Sequence, residues 1–161
     1  SVTQASWTLR IDGACASPLE LDFAGFMQLE QVNDVSDFHC VTTWSRMDIA
    51  WQGVRFMDLM ALVEPDEDAC AVMCHAYDGY TTNVALEEAL KPDVLLVHQA
   101  DAAPLAREHG GPVRMITPQL YGWKGAKWIK RIELLTAERL GVVERRGYSS
   151  SAHPWRNDRY S

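Results

Sequence analysis

No apolar run in this chain approaches the roughly 20 residues that a membrane-crossing helix needs. The opening residues, Ser1 to Ser6, also lack a basic stretch followed by a hydrophobic one. The expectation is a soluble protein of the cytoplasm, or of the periplasm if a signal was removed ahead of residue 1. Cysteine is scarce. The four present, Cys15, Cys40, Cys70 and Cys74, are too few for a disulfide scaffold and form no paired C-x-x-C clusters suited to structural zinc, so reduced thiols are expected. Positive net charge is missing too: a balance of -7 argues against a general nucleic-acid binder, which needs a dense basic surface. Internal repeats are absent, and low-complexity stretches are few.

What remains is a chain of 161 residues, 47% hydrophobic, with six Trp, five Tyr and four Phe, which is enough for one ordinary core and short for two. One domain over 1–161 is expected, with a core at about 7–136 and a C-terminal arm over 137–161. Trp7 to Gly13 alternates apolar and polar side chains and ends at a turn residue, as a half-buried strand does. After the Pro18 loop, Asp22 can cap a short helix with Phe23, Phe26 and Met27 on one face. A second helix follows a turn at Gly53, with Phe56, Leu59, Met60 and Val63 on one stripe before Pro65, and a third runs from Leu86 to Leu90. Strands are expected at Cys70 to His75, Val94 to Gln99, Val113 to Thr117 and Trp128 to Thr136. Irregular interleaving of strands and short helices suits an α+β fold with mixed sheets, because doubly wound folds separate parallel strands by longer helices. The polar tail after Gly147 carries Tyr148, Trp155 and Tyr160, which favours a pinned arm over a free end.

Three blocks carry candidate chemistry. Cys40 lies in His39-Cys-Val-Thr-Thr-Trp-Ser45, where polar and aromatic neighbours can orient a thiolate for a soft metal, although a lone cysteine is ordinarily a small hydrophobe. Cys70 to His75 superficially suggests covalent haem, but three residues separate its cysteines where haem attachment uses two. Just beyond it, Tyr77 to Asn83 reads as a turn on Asp78-Gly79 that presents hydroxyls at a strand end. In the third block, between Arg107 and Arg131, six basic side chains face one acid, Glu108, a local excess of five positive charges in an acidic chain. There His109-Gly-Gly-Pro-Val-Arg114 and Lys124-Gly-Ala-Lys-Trp128 have the composition of an anion cradle, in which glycine admits backbone N–H groups, Arg114 supplies a fork, and Lys124 and Lys127 supply point charges. Neither the P-loop order nor G-x-G-x-x-G is present.

Taken together and in this order, His39 to Ser45, Gly79 to Asn83, His109 to Arg114 and Lys124 to Trp128 resemble the oxidoreductase molybdopterin-binding domain of the sulfite oxidase family, most of all its short bacterial members. The similarity runs from Trp7 to about Thr136, and the tail around Tyr148, Trp155 and Tyr160 looks like theirs as well. The resemblance implies a sulfite-oxidase-like molybdopterin-binding fold and a molybdenum–molybdopterin cofactor. It implies that Cys40 is the metal's protein ligand and that Tyr80 stands near the metal, catalytic with Cys40. It further implies that His39, His75, His109, Arg114, Lys124, Gly125, Ala126 and Lys127 contact the cofactor, and that Trp44 and Trp123 wall the pocket.

Three departures narrow the expectation. Relatives carry an additional segment upstream of the position of Trp7, and eukaryotic sulfite oxidases add a dimerisation domain after the core. Those enzymes also bind sulfite through an arginine five positions after the cysteine, where Ser45 stands here, with Arg46 one later. The expected activity is therefore oxygen-atom transfer on a small oxoanion or a sulfoxide, with sulfite itself a poor fit. Electrons would pass through a separate one-electron redox protein, a cytochrome or similar, because no haem, flavin or iron–sulfur motif is visible. The alternative is a non-catalytic molybdopterin-binding or carrier protein.

Overall fold

Strict alternation of large apolar and polar side chains at the start of the chain produces the first strand, β1 (Thr8–Gly13), which buries Leu9 and Ile11. The computed structural model describes residues 2–39, 45–117 and 125–144. Along them follow β2 (Leu19–Asp22), α1 (Phe23–Met27), β3 (Val32–His39), β4 (Ser45–Arg55), α2 (Phe56–Val63), β5 (Ala69–Ala76), β6 (Thr81–Ala85), α3 (Leu86–Ala89), β7 (Leu95–Ala100), β8 (Ala103–Pro104), a 3-10 turn at Arg107–His109, β9 (Arg114–Ile116), β10 (Ile129–Thr136) and α4 (Ala137–Glu144).

The strands form two sheets. One has the order β2-β1-β10-β5-β6, in which β1 and β10 run parallel and the other neighbours antiparallel. The other has the order β3-β4-β7-β8, with β9 also on β7, all antiparallel. This is the α+β architecture with mixed sheets and short helices that the sequence predicts.

The main core gathers Leu9 and Ile11 of β1, Val72 and Cys74 of β5, and Ile132 and Leu134 of β10 from the first sheet. Val54 of β4, Leu96 of β7 and Met115 of β9 join them from the second, and the whole α2 stripe of Phe56, Leu59, Met60 and Val63 packs among them. Each sheet buries a second face as well. Ile49, Trp51, Leu95, Val97 and Ile116 cluster on the other side of β4, β7 and β9, while Ala71, Met73 and Leu135 do so beside Leu140 of α4. Leu95-Leu96-Val97 is unbroken apolar sequence because successive side chains of β7 enter different clusters.

Several local expectations need correction. Gly53 is not a turn; it lies inside β4 at a register shift, where an added Cβ would strike the Leu96 backbone of β7. Glycine is needed there for close strand approach rather than for reversal. Asp22 does cap α1, accepting from the Gly25 N–H at 2.8 Å, but it also ends a strand, and Met27 is exposed, leaving Phe26 as the buried contact. The strands β3 and β4 were not anticipated. The arm drawn from residue 137 opens as the helix α4, whereas Tyr148, Trp155 and Tyr160 lie outside the described residues.

Candidate cofactor-binding site

The cationic block folds as two turns fastened together. In the first, the N–H groups of His109 and Gly111 donate to the Ala106 carbonyl and that of Gly110 to the Arg107 carbonyl, each at 3.0 Å. Gly110 adopts a φ of 106°, which only glycine takes without strain, and Gly111 packs against the Leu105 carbonyl. These glycines therefore shape the turn. Their N–H groups are consumed within it and do not face an anion.

The second turn, Gly125 to Lys127, is different. Its carbonyls are engaged, since Gly125 O accepts from Arg114 Nη2 at 2.7 Å and Ala126 O accepts from the Met115 N–H at 3.0 Å. Among the described residues, no acceptor meets the N–H groups of Gly125, Ala126 or Lys127. Gly125 and Ala126 are buried. Successive N–H groups that the described residues leave over are able to take an anion. Lys127 adds a positive charge at this turn, its Nζ donating to the Glu108 carbonyl at 3.3 Å, which leaves further ammonium donors.

Arg114 joins the two turns. Its guanidinium is buried and donates through Nη1 to the His109 carbonyl at 3.1 Å and through Nη2 to the Gly125 carbonyl, with Nε a longer 3.4 Å from the Met115 carbonyl. Trp128 adds a second clamp. Its N–H donates to Gly110 O at 3.0 Å, its Nε1–H to Arg107 O at 2.8 Å, and its carbonyl accepts from the Tyr77 N–H at 2.8 Å. Through that last bond the turns meet the β5–β6 hairpin, which carries Tyr80.

The structure thus brings His109, Arg114, Gly125, Ala126 and Lys127 together. The His109 side chain is exposed at the end of its turn. Tyr80 stands exposed just before β6, its N–H bonded to Asp78 Oδ1 at 3.0 Å. Burial of the ring region pushes the phenol above its usual range, with a hydrogen bond from Thr82 offsetting part of the shift. His75, on β5, has its Nε2 3.2 Å from Glu133 Oε1 of β10. Burial lowers its pKa, and the Glu133 bond works in the opposite direction. The His39 backbone ends β3 as the register partner of Ser45, while its side chain, together with Cys40, Trp44, Trp123 and Lys124, lies outside what is described. Among the described residues no cluster of three or more His, Cys, Asp or Glu side chains is arranged to hold a metal ion.

Two features escaped the sequence reading. Thr117 Oγ1 is buried at the end of β9 with no partner among the described residues, and Trp128 has a φ of 49°, in the left-handed region. Neither leaves a mark in residue type or spacing.

A two-sheet α+β fold with paired cationic turns suits a domain that holds an anionic ligand, and comparison with known proteins specifies the family. Residues 1–143 match the family described as "Oxidoreductase molybdopterin binding domain". The chain is 38% identical over 155 residues to the uncharacterized oxidoreductase YuiH of Bacillus subtilis (strain 168), covering 96% of this chain and 78% of that one. It is 31% identical over 150 residues to the protein-methionine-sulfoxide reductase catalytic subunit MsrP of Gluconobacter oxydans (strain 621H), covering 82% of this chain and 48% of that one. In fold it superposes on the sulfane dehydrogenase SoxCD of Paracoccus pantotrophus with a TM-score of 0.77 at 18% identity, covering 86% of this chain and 41% of that one. The chain belongs to the oxidoreductase molybdopterin-binding domain family, as its motifs imply. No helix among the described residues is long and apolar enough to cross a membrane.

Proposed function

We propose that this chain binds a molybdenum–molybdopterin cofactor and reduces a small sulfoxide, taking its electrons one at a time from a separate redox protein. The observation that carries the cofactor is the Gly125 to Lys127 turn, whose three N–H groups meet no described acceptor beside the Lys127 ammonium. That donor set fits the phosphate of a pterin. A sulfoxide is favoured over an oxoanion by the likeness to the methionine-sulfoxide reductase catalytic subunit, and the serine at position 45 leaves sulfite without the arginine that sulfite oxidases use.

In this reading the Gly125 to Lys127 turn and Lys127 hold the phosphate, Arg114 keeps the two turns in register, and Cys40 supplies a thiolate to the metal. When bound, the cofactor supplies two-electron chemistry for oxygen-atom transfer. The overall reaction joins one sulfoxide, two electrons and two protons to give one thioether and one water. Tyr80 presents a phenol O–H that donates a hydrogen bond to the substrate oxygen.

The test is direct. Purified chain is assayed for molybdenum by elemental analysis, for pterin by fluorescence after oxidation, and for methionine sulfoxide reduction with a reduced viologen dye. Molybdenum and pterin in equal amounts, with turnover abolished by Cys40→Ser, is the expected result. A Cys40→Ser variant retaining full molybdenum-dependent turnover removes the ligand assignment. Pterin bound without turnover of any sulfoxide, sulfite or oxoanion points instead to a carrier.

A further inference from the structure

Trp128 combines two features that sit badly together unless something requires them. Its φ of 49° is a conformation that a bulky side chain adopts only under constraint from its surroundings. The surroundings impose it through three hydrogen bonds to two separate segments: to the Gly110 and Arg107 carbonyls of the first turn and from the Tyr77 N–H of the β5–β6 hairpin. Its indole also lies under the Lys127 ammonium, with Nζ 5.6 Å from the ring centroid. That distance is within cation–π range and restricts where the charge can sit. Lys127 and Ala126, the residues just before it, carry two of the N–H groups that meet no described acceptor.

We propose that Trp128 is a positioning residue for anion binding: its clamped left-handed backbone and its indole hold the Gly125 to Lys127 N–H groups and the Lys127 ammonium in one concave arrangement. A relaxed residue at this position would let β10 begin without the reversal, and the turn would lose the register set by the Gly110 carbonyl. The indole Nε1–H bond to Arg107 O keeps the ring over the same turn that Lys127 reaches through Glu108 O. Backbone and side chain of one residue thereby fix both kinds of donor. The inference rests on reading this turn as the cofactor's phosphate site, but it can fail or succeed separately.

Inorganic phosphate is the probe, titrated into the full chain while the amide signals of Gly125, Ala126 and Lys127 are followed by NMR. These signals are expected to shift saturably in the parent protein. Trp128→Phe keeps a ring but loses the Nε1–H donor, and weakens phosphate binding about fivefold, the scale of one hydrogen bond. Trp128→His restores a ring N–H and tolerates the left-handed conformation better than most residues, so it binds within about twofold of the parent. The affinity loss in Trp128→Phe largely disappears in a Lys127→Met background, because the indole acts through that ammonium.

Parent-like phosphate affinity in Trp128→Phe, or full multiplication of the two losses in the double variant, overturns the positioning role. If Trp128→Phe does not fold, weak binding by a folded Trp128→His does so instead. Absence of any phosphate shift in the parent overturns the anion turn itself. A chain that binds phosphate through this turn yet never carries pterin leaves the positioning role standing and removes the proposed function.

Discussion

Replacing Arg114 by methionine should destabilise the protein whether or not a cofactor is bound, because the guanidinium ties backbone to backbone. At 3% exposure it donates to His109 O at 3.1 Å and to Gly125 O at 2.7 Å. Hydrogen bonds from a charged group contribute about 1.5–3 kcal/mol each, so two contribute about 3–6 kcal/mol. Against this, removing a buried charge recovers part of its desolvation cost, while methionine preserves the apolar stem and leaves both carbonyls without that donor. The net loss expected is about 2–4 kcal/mol. In a chain of this size each kcal/mol moves Tm by about 2–4 °C, so Arg114→Met should melt roughly 4–16 °C lower. Thermal and urea unfolding followed by circular dichroism measure it. Arg114→Lys retains the charge, but a compact ammonium cannot span two carbonyls as the planar fork does, so less than half of the loss should return. An Arg114→Met protein melting within about 2 °C of the parent would refute the claim that this side chain holds the turns together.

Three further outcomes follow from the same contacts. Gly53→Ala would press a methyl against the Leu96 carbonyl between β4 and β7, and overpacking of this kind costs about 1–3 kcal/mol, measurable as a lower urea midpoint with the slope unchanged. His98 is buried in T-shaped contact with the rings of Phe23 and Phe26, with Nε2 3.0 Å from Gln31 Oε1, and burial lowers its pKa. The unfolded chain then binds the proton more readily than the folded one, so stability falls as pH drops below the ordinary histidine value of about 6.5 and is unaffected above it. His98→Gln should flatten that part of the stability-against-pH curve, and an unchanged curve would refute the assignment. Tyr80→Phe should lower kcat for sulfoxide reduction about tenfold to a hundredfold with Tm nearly unchanged, the signature of a lost proton donor at an exposed position.

Periodicity made much of the fold legible because the relevant side chains had only one core to enter. The α2 stripe and the alternation of β1 are of that kind, and both were readable from spacing alone. The hairpin of β3 and β4 was not. Val32 to Arg55 is polar at many positions, with Asn33, Asp34 and Ser36 on one strand and Arg46, Asp48 and Gln52 on the other, so neither period dominates. Its strands form because they pair with each other and with β7 across distant sequence, a contribution local pattern does not record. Gly53 shows the same limit. Glycine before a helical stripe signals a turn, yet here it marks where two strands come too close for a Cβ.

For the site, the motifs pointed to the Gly125 to Lys127 turn, while composition alone did not separate its donors from those of the neighbouring glycines. Gly110 and Gly111 share that glycine-rich composition, but their turn spends both donors on the Arg107 and Ala106 carbonyls. The N–H groups with no described acceptor belong to Gly125, Ala126 and Lys127, whose availability depends on what happens to their carbonyls and to Trp128 beyond them. Arg114 likewise looks from sequence like a ligand-binding fork and in the fold spends two donors on backbone. In the proposed anion site, neighbours occupy the acceptors and leave the donors over. Residue type shows where charge is concentrated; only the hydrogen-bond pairing of the folded chain shows which donors remain for a ligand.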